Sequence, residues 1–498
     1  MENIAQYLSW RAGEALDSQL EIFRALAASQ EAGDTVFTAP PSPSPHFRQR
    51  GQQTWLRRIW DEEQALARDI LGRLRQRPEA DVPAEALPRG LNERQQQAFA
   101  AARRRQFLII NGGPGTGKTY TLAQLVKALR AETPELLIGL CAPTGKAAQR
   151  VGESLLREAV AIDNPQTIHR LLHFQGGEAL HDEHNPLPHD LLIVDEASML
   201  SSALARQLFG AVRPESRLIL LGDAQQLAAV EPGAVLHDLI RAPRLRDFVV
   251  TLEESRRFPA VSAIGRLVRG LQQAEPEAET LLALCEELNW QEKPSQDELW
   301  AGFQGYMAAL RHGDPADEAT FQAAEAAFNR YRILSSSNHG DFGTIAINRA
   351  LAERHRRDLG LAYGEYFHGL PLLVTANDYR LELFNGDIGL CWQRAGGLVV
   401  RFPGQKTVAL NQLNPRQLLP AYALTVHKAQ GSEFDEVALV LPAEGPAERL
   451  LSRELFYTGV SRARQTVRLF GPRAALRRAI VTPTQRHTGL GFFLQEEE

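Results

Sequence analysis

Phe107-Leu-Ile-Ile-Asn-Gly112-Gly-Pro-Gly-Thr-Gly117-Lys118-Thr119 runs from four apolar residues into a glycine-rich turn, and then into a stretch whose Leu122, Leu125, Val126 and Leu129 share one helical face. Strand, then G-x-x-x-x-G-K-[ST], then helix is the context in which such a turn cradles phosphates: glycines let backbone N–H groups wrap the anion at a helix N-terminus. Gly112, Gly113, Pro114, Gly115, Thr116, Gly117, Lys118 and Thr119 are therefore the candidate nucleotide-binding residues. Lys118 balances charge on the β- and γ-phosphates, and Thr119 supplies a hydroxyl to Mg²⁺, so ATP and Mg²⁺ are the expected cofactors.

A second apolar run ends in paired carboxylates, Leu191-Leu-Ile-Val-Asp195-Glu196. Ligands bind at the C-terminal ends of strands in open parallel sheets. This places Asp195 in the Mg²⁺ shell and makes Glu196 the group that orients and deprotonates the attacking water. Leu218-Ile-Leu-Leu-Gly222-Asp223-Ala-Gln-Gln226 repeats the strand-then-polar-turn design, and Gln226 is suited to sensing the γ-phosphate. Upstream, Gln95 offers an amide that can pair with an adenine edge, although Gln96, Gln97 or plain helix surface fit the glutamine run equally. Arg257 and Arg462 each sit in a polar loop or helix start, and a planar, permanently charged guanidinium stabilises phosphoryl-transfer charge.

Bulk composition sets the frame. A chain of 498 residues exceeds one hydrophobic core, so two or three domains are expected. Its apolar content of 44% is ordinary, and no run approaches a bilayer span. The N-terminus lacks a secretory pattern, which predicts a cytoplasmic protein away from membranes. Cys141, Cys285 and Cys391 are too scattered for a disulfide framework and read as buried reduced thiols. A net charge of -5 means that any nucleic-acid contact must use a local patch.

The organisation is α/β. Residues 1–88 read as a reduced helical region, interrupted by the proline-rich stretch 39–45 and closed by Pro78, Pro83 and Pro88. Short apolar runs alternate with helical stretches over 89–258 and again over 331–498, which predicts two parallel-sheet lobes separated by a helical region, 259–330. Short strand-like runs joined by Gly and Asn turns mark a small β insertion at about 360–415. Trp55 and Trp60 fit either an interface anchor or a small core.

The ordered set of segments resembles superfamily 1 helicases, and its wording is similar to the RecD family. It includes Ala142-Pro-Thr-Gly-Lys-Ala-Ala148, Thr167-Ile-His-Arg-Leu-Leu172, Val194-Asp-Glu-Ala-Ser-Met199 and Leu227-Ala-Ala-Val-Glu-Pro-Gly-Ala-Val235. Leu383-Phe-Asn-Gly-Asp-Ile-Gly389 and Thr425-Val-His-Lys-Ala-Gln-Gly-Ser-Glu-Phe434 complete it. The resemblance covers about residues 91–488 and implies two RecA-like P-loop lobes with an SH3-like insertion in the second. It further implies 5'-to-3' DNA translocation in double-strand-break repair, single-stranded and duplex-end DNA as track, and RecB-like and RecC-like partners that hold the nuclease. Pro143, Thr144, Thr167, His169, Thr425 and His427 match family segments lining the single-strand groove. Short hydroxyls and imidazoles suit sequence-independent phosphate contact. Thr167 equally suits a helix cap, and His427 a core histidine. A non-catalytic assembly subunit and an RNA helicase are the competing readings.

Overall fold

The computed structural model describes residues 16–39, 46–74, 87–162, 164–175, 178–259, 261–362, 364–378, 380–404, 406–442 and 446–495. The proline-rich segment beyond Ala39, together with Pro78 and Pro83, lies outside them. Two compact units emerge, residues 1–256 with 485–498, and residues 257–484.

In the first unit a helix, Leu16–Ala32, precedes β1 (Phe37–Thr38), β2 (Phe47–Arg50) and β3 (Gln53–Leu56), which pair antiparallel in the order β1-β3-β2. This corrects the expectation of helices alone on either side of the proline-rich stretch in residues 1–88. Gly51, with φ +59°, turns β2 into β3, and Trp55 carries its ring into the interior with no exposure. Trp60 stands edge-on to Trp55 and to Phe493, at 4.9 Å in each case. The tryptophans are thus a small core rather than a partner anchor. The helix Arg57–Leu74 then buries Ile59, Glu63, Leu66, Ala67, Ile70, Leu71 and Arg73, a spacing of threes and fours.

Arg73 acts over a long sequence distance. Its guanidinium donates to the carbonyls of Val212 at 2.6 Å, Arg213 at 3.2 Å, Ser216 at 3.4 Å and Phe209 at 3.5 Å. These include the end of the helix Ser202–Ala211, whose last carbonyls lack intrahelical partners and carry the negative end of its dipole.

The main sheet of this unit contains β4 (Phe107–Gly112), β5 (Ile138–Ala142), β6 (Gln166–Thr167), β7 (Leu191–Val194), β8 (Arg217–Gly222) and β9 (Val249–Leu252). All are parallel, in the order β6-β5-β7-β8-β4-β9. Alternation along each strand feeds two cores. Phe107, Ile109, Leu192, Val194, Leu218 and Leu220 face one side, while Leu108, Ile110, Leu191, Ile193, Ile219 and Leu221 face the other. β6 and β9 were not anticipated, because two residues, or a run with Thr251 in it, give no distinct period.

The second unit opens with helices between Ala263 and Arg330, as expected of that stretch. β10 (Tyr331–Ser335) follows. Next come β11 (Pro371–Val374), β12 (Ile388–Arg394), β13 (Gly397–Arg401), β14 (Thr407–Ala409) and β15 (Leu418–Pro420), an antiparallel sheet in the order β14-β13-β12-β11-β15. This is the SH3-like insertion, reaching a few residues beyond its expected end. β16 (Ala423–Thr425), β17 (Phe434–Val440) and β18 (Ala463–Phe470) complete a parallel sheet, β16-β10-β17-β18.

The C-terminus is a further correction. Residues 485–498, assigned from sequence to the second lobe, belong to the first unit. Leu490, Phe493 and Leu494 pack with Leu66 and Ile70. Among the described residues no helix is long and apolar enough to cross a membrane, and the three cysteines are free and buried.

Replacing Arg73 by Met should destabilise the first unit by roughly 2–4 kcal/mol in denaturant unfolding, because several buried carbonyls lose a charged donor. A change within error would show that Arg73 does not secure the helical end.

Candidate nucleotide site and strand-contact residues

Parallel pairing sets the site. Asn111 stands opposite Gly222 across β4 and β8, and Val194 opposite Leu220 across β7 and β8. The loops that leave these strands therefore emerge side by side at one edge of the sheet. They carry the phosphate loop, Asp195 with Glu196, and Asp223 with Gln226.

The phosphate loop is held from several directions. At Gly112 an added Cβ would lie 2.7 Å from Thr116 Oγ1 and 3.0 Å from the Leu252 carbonyl, so the fold leaves no room for a side chain. Gly117 has φ +86°, and a Cβ there would lie 2.3 Å from the Gln95 amide. Thr116 Oγ1 donates to the Gly113 carbonyl at 2.8 Å. The Lys118 ammonium donates to the carbonyls of Gly112 and, at 3.3 Å, Gly113. Gly113, Pro114 and Thr116 are buried, while Gly115, Lys118 and Thr119 stay partly open to solvent.

Gln95 departs from its sequence expectation. Asn92 caps the helix Glu93–Arg104 in a capping box: its side chain accepts from Gln95 N at 2.9 Å, and Gln95 Oε1 accepts from Asn92 N at 3.1 Å. Gln95 Nε2 donates to the Thr116 carbonyl at 3.0 Å, and the residue is 2% exposed. Both ends of the amide are engaged inside the protein, so Gln95 braces the phosphate loop. Gln96 is likewise engaged, with the Leu91 carbonyl.

Sequence reasoning missed a second brace. Ser255 Oγ donates to the Pro114 carbonyl at 2.7 Å, and Arg256 N donates to the Gly115 carbonyl at 3.0 Å. Asn111 was missed as well: its side chain accepts from Ala224 N at 3.1 Å and donates to Thr251 Oγ1 at 3.3 Å, tying three strand ends together.

After β7 the chain turns sharply. Glu196 adopts φ +51°, a left-handed conformation uncommon outside glycine, and its carbonyl accepts from Met199 N. Burial first, and then the neighbouring Glu196 charge, push the Asp195 carboxyl up to about 7, while Lys118 and Arg150 oppose the shift. Arg150 was also not foreseen. A buried carboxylate so poorly compensated, one residue from another, has the chemistry of a divalent-cation ligand, and Asp195 with Thr119 would hold such an ion. Gln226 is buried, and its amide donates to Asp223 Oδ2 at 3.1 Å.

The strand-contact candidates gather at sheet edges. In the first unit β6 is the edge strand, and its Thr167 pairs with Ala142 at the end of β5. Pro143, Thr144, Thr167 and His169 consequently share one corner. Thr144 and Thr167 both cap helices, accepting from Ala147 N at 3.3 Å and Arg170 N at 3.1 Å. The cap reading of Thr167 is thus realised, and it fixes the hydroxyl in place. His169 is exposed, with its ring 4.8 Å from Phe174. In the second unit Thr425 ends β16, again an edge strand, and accepts from Lys428 N at 3.2 Å, while His427 is half-buried.

Arg257 and Arg462 lie in the second unit. Arg257 pairs with Glu433 at 2.7 Å, and Arg464 reaches the other oxygen of that carboxylate at 3.2 Å. Arg462, 2% exposed, donates to the carbonyls of Thr458 at 3.2 Å and Ser432 at 3.4 Å. Glu433 thereby sets the orientation of Arg257, a role the sequence reading did not assign.

The chain is similar over most of its length to known proteins. Residues 90–291 match the AAA domain family and residues 420–470 the UvrD-like helicase C-terminal domain family. The RecBCD enzyme subunit RecD of Mycobacterium tuberculosis H37Rv is 38% identical, over 89% of this chain and 80% of that protein. Its counterpart in Mycolicibacterium smegmatis is 36% identical over 90% and 83%. The ATP-dependent RecD2 DNA helicase of Deinococcus radiodurans is 33% identical over 81% of this chain and 52% of its own length.

The folded protein holds the Asp195 proton up to about pH 7, whereas an unfolded chain releases it near the ordinary value of 3.8. Stability from this group is therefore lost as pH rises between those values. Asp195→Asn should raise the melting temperature at pH 8 more than at pH 5 and weaken Mg²⁺-nucleotide binding at pH 8. Equal melting shifts at both pH values would refute the buried-charge assignment.

Proposed function

Because the chain belongs to the RecD family of superfamily 1 DNA helicases, we propose that it is an ATP-driven 5'-to-3' DNA translocase, the motor subunit of a RecBCD-type helicase–nuclease acting in double-strand-break repair. The observation that carries this reading is the convergence of a braced phosphate loop, the carboxylates of Asp195 and Glu196, and Gln226 at one sheet edge, with strand-contact candidates at the adjacent corner. ATP binding alone would not require that neighbouring corner.

In this reading the backbone of residues 112–117 and the Lys118 ammonium hold the triphosphate, while Thr119 and Asp195 hold Mg²⁺. The bound ion would neutralise charge on the phosphate oxygens. Glu196 accepts the proton of the attacking water. Arg257 and Arg462 are assigned to the charge that develops on the transferred phosphoryl group, a contribution of roughly 10³ to 10⁵ in rate where such arginines operate. Pro143, Thr144, Thr167, His169, Thr425 and His427 grip the sugar–phosphate track without reading bases. RecB-like and RecC-like subunits are the proposed partners, and the cytoplasm the proposed compartment.

The likeness to a RecD2 helicase favours one further possibility, a motor that works without those subunits. Hydrolysis with and without single-stranded DNA, together with unwinding of duplexes bearing 5' or 3' overhangs, separates the cases. Stimulated hydrolysis and unwinding from the 5' overhang alone is the expected result for an autonomous motor. Stimulated hydrolysis without unwinding is expected of a subunit awaiting partners, and no hydrolysis would overturn the mechanism. Lys118→Ala should lower turnover by about 10²-fold or more with the fold intact. Thr425→Ala and His427→Ala should each weaken the stimulation by single-stranded DNA, and unchanged stimulation in both would remove them from the track.

A further inference from the structure

The strand β16 lies at the edge of the parallel sheet of the second unit, so only its β10 side has a neighbouring strand. Toward β10 it uses the Tyr422 carbonyl, which accepts from Ile333 N at 3.4 Å, and Val426 N, which donates to the Ser335 carbonyl at 3.0 Å. Successive residues of a strand turn their backbone groups to alternate sides, so Ala423 and Thr425 direct theirs outward. At Ala423 the outward pair is taken by one side chain. The Asn348 carboxamide donates from Nδ2 to the Ala423 carbonyl at 3.0 Å, and its Oδ1 accepts from Ala423 N at 2.8 Å. Asn348 thus makes both of the bonds that a further strand would make.

Asparagine suits this place because it carries an amide donor and a carbonyl acceptor side by side, as a peptide group does. Its helix, Thr344–Asp358, is fixed independently of Ala423. At the start of that helix Thr344 N donates to the Ser337 carbonyl at 3.0 Å and Thr344 Oγ1 to Asn338 Oδ1 at 2.8 Å, both on the loop that leaves β10. About two turns beyond Asn348, His355 Nδ1 lies 2.6 Å from the Tyr422 hydroxyl. Asn348 and Ala423 are both buried, so losing the carboxamide would strand a backbone donor and acceptor and let the strand end shift. That strand ends at Thr425. The Thr425 hydroxyl accepts from Lys428 N at 3.2 Å, which leaves its own proton for an outside acceptor such as a phosphate oxygen.

We propose that Asn348 is a positioning residue: standing in for a missing neighbour strand, it fixes the end of β16 and so the place from which the Thr425 hydroxyl meets the phosphates of a single strand. This rests on the functional reading above, which assigns Thr425 to the strand. Protecting a sheet edge does not call for so exact a device, since a charged side chain or a proline serves that end. A binding group does call for it, because such groups work only when held within about 0.5 Å of the productive geometry by the residues behind them.

The test uses the full chain with Asn348→Ala, Asn348→Leu, Thr425→Ala and the double variant Asn348→Ala with Thr425→Ala. Fluorescence anisotropy with a labelled oligothymidine strand gives the strand Kd, and ATP turnover without the strand gives the basal kcat and KM. Asn348→Ala should weaken strand binding about tenfold, the equivalent of one or two ordinary hydrogen bonds. Its basal kcat and KM for ATP should stay within about twofold of the parent. Asn348→Leu, branched like asparagine but able to form neither bond, should match it, and it carries the test if the smaller side chain brings melting into the assay range. The double variant should bind within about twofold of Thr425→Ala alone, because a residue that acts through Thr425 has nothing further to lose once the hydroxyl is gone. A merely structural role would instead multiply with the Thr425→Ala loss or depress basal turnover in parallel. Either result, or parent-like strand affinity in both single Asn348 variants, would overturn the proposal. Parent-like affinity in Thr425→Ala would overturn the assignment of Thr425 to the strand, and the proposal with it, whatever the Asn348 variants do.

Discussion

Everything chemical in the first unit depends on the register of three parallel strands. Because β7, β8 and β4 run in the same direction and each ends within about two residues of its neighbour in register, the loops that follow them leave the same edge of the sheet. Backbone hydrogen bonds give that arrangement its rigidity, and apolar cores on both faces hold it in place. A slip of one residue in β4 would exchange Phe107 and Ile109 for Leu108 and Ile110 between the two cores, and would displace the phosphate loop with them.

Within that frame the phosphate loop is a braced object. Two of its carbonyls are taken by the Ser255 hydroxyl and the Arg256 amide, and a third by the Gln95 amide. The same device recurs throughout the unit, where a side chain from a remote segment satisfies exposed carbonyls of a loop or helix end. Arg73 does so for the end of Ser202–Ala211, and Arg486 for the connection after Gln226. Each brace joins segments far apart in sequence, so the N-terminal region and the C-terminal return segment are structural parts of the nucleotide lobe. Satisfying buried carbonyls is obligatory, since an unpaired one costs more than a typical hydrogen bond gains.

Charge follows a complementary logic. Asp195 is enclosed beside a second carboxylate and held high, which leaves a deficit of positive charge where a cation is expected. In the second unit the balance is already closed, for Glu433 takes Arg257 on one oxygen and Arg464 on the other. The first arrangement is suited to receiving a charged ligand, and the second to holding a guanidinium in one orientation.

The phosphate loop, the carboxylate pair at a strand end, the two parallel lobes, the β insertion and the family were all legible in the amino-acid order. Each of these is written in residues close together, whose types report a local backbone need: glycine at Gly117 for a left-handed turn, or four apolar residues before Asp195 for a strand covered on both faces. Three-dimensional packing was required to place residues 485–498 in the first unit, to form a sheet from β1, β2 and β3, and to set Gln95 as a brace for the loop. The roles of Arg73, Ser255, Glu433 and Arg486 likewise emerge only on folding. The physical reason is that three of these four, and Gln95 as well, bind backbone carbonyls, which every residue possesses and no residue type announces. Glu433 instead meets its arginines through proximity alone, which sequence spacing cannot express.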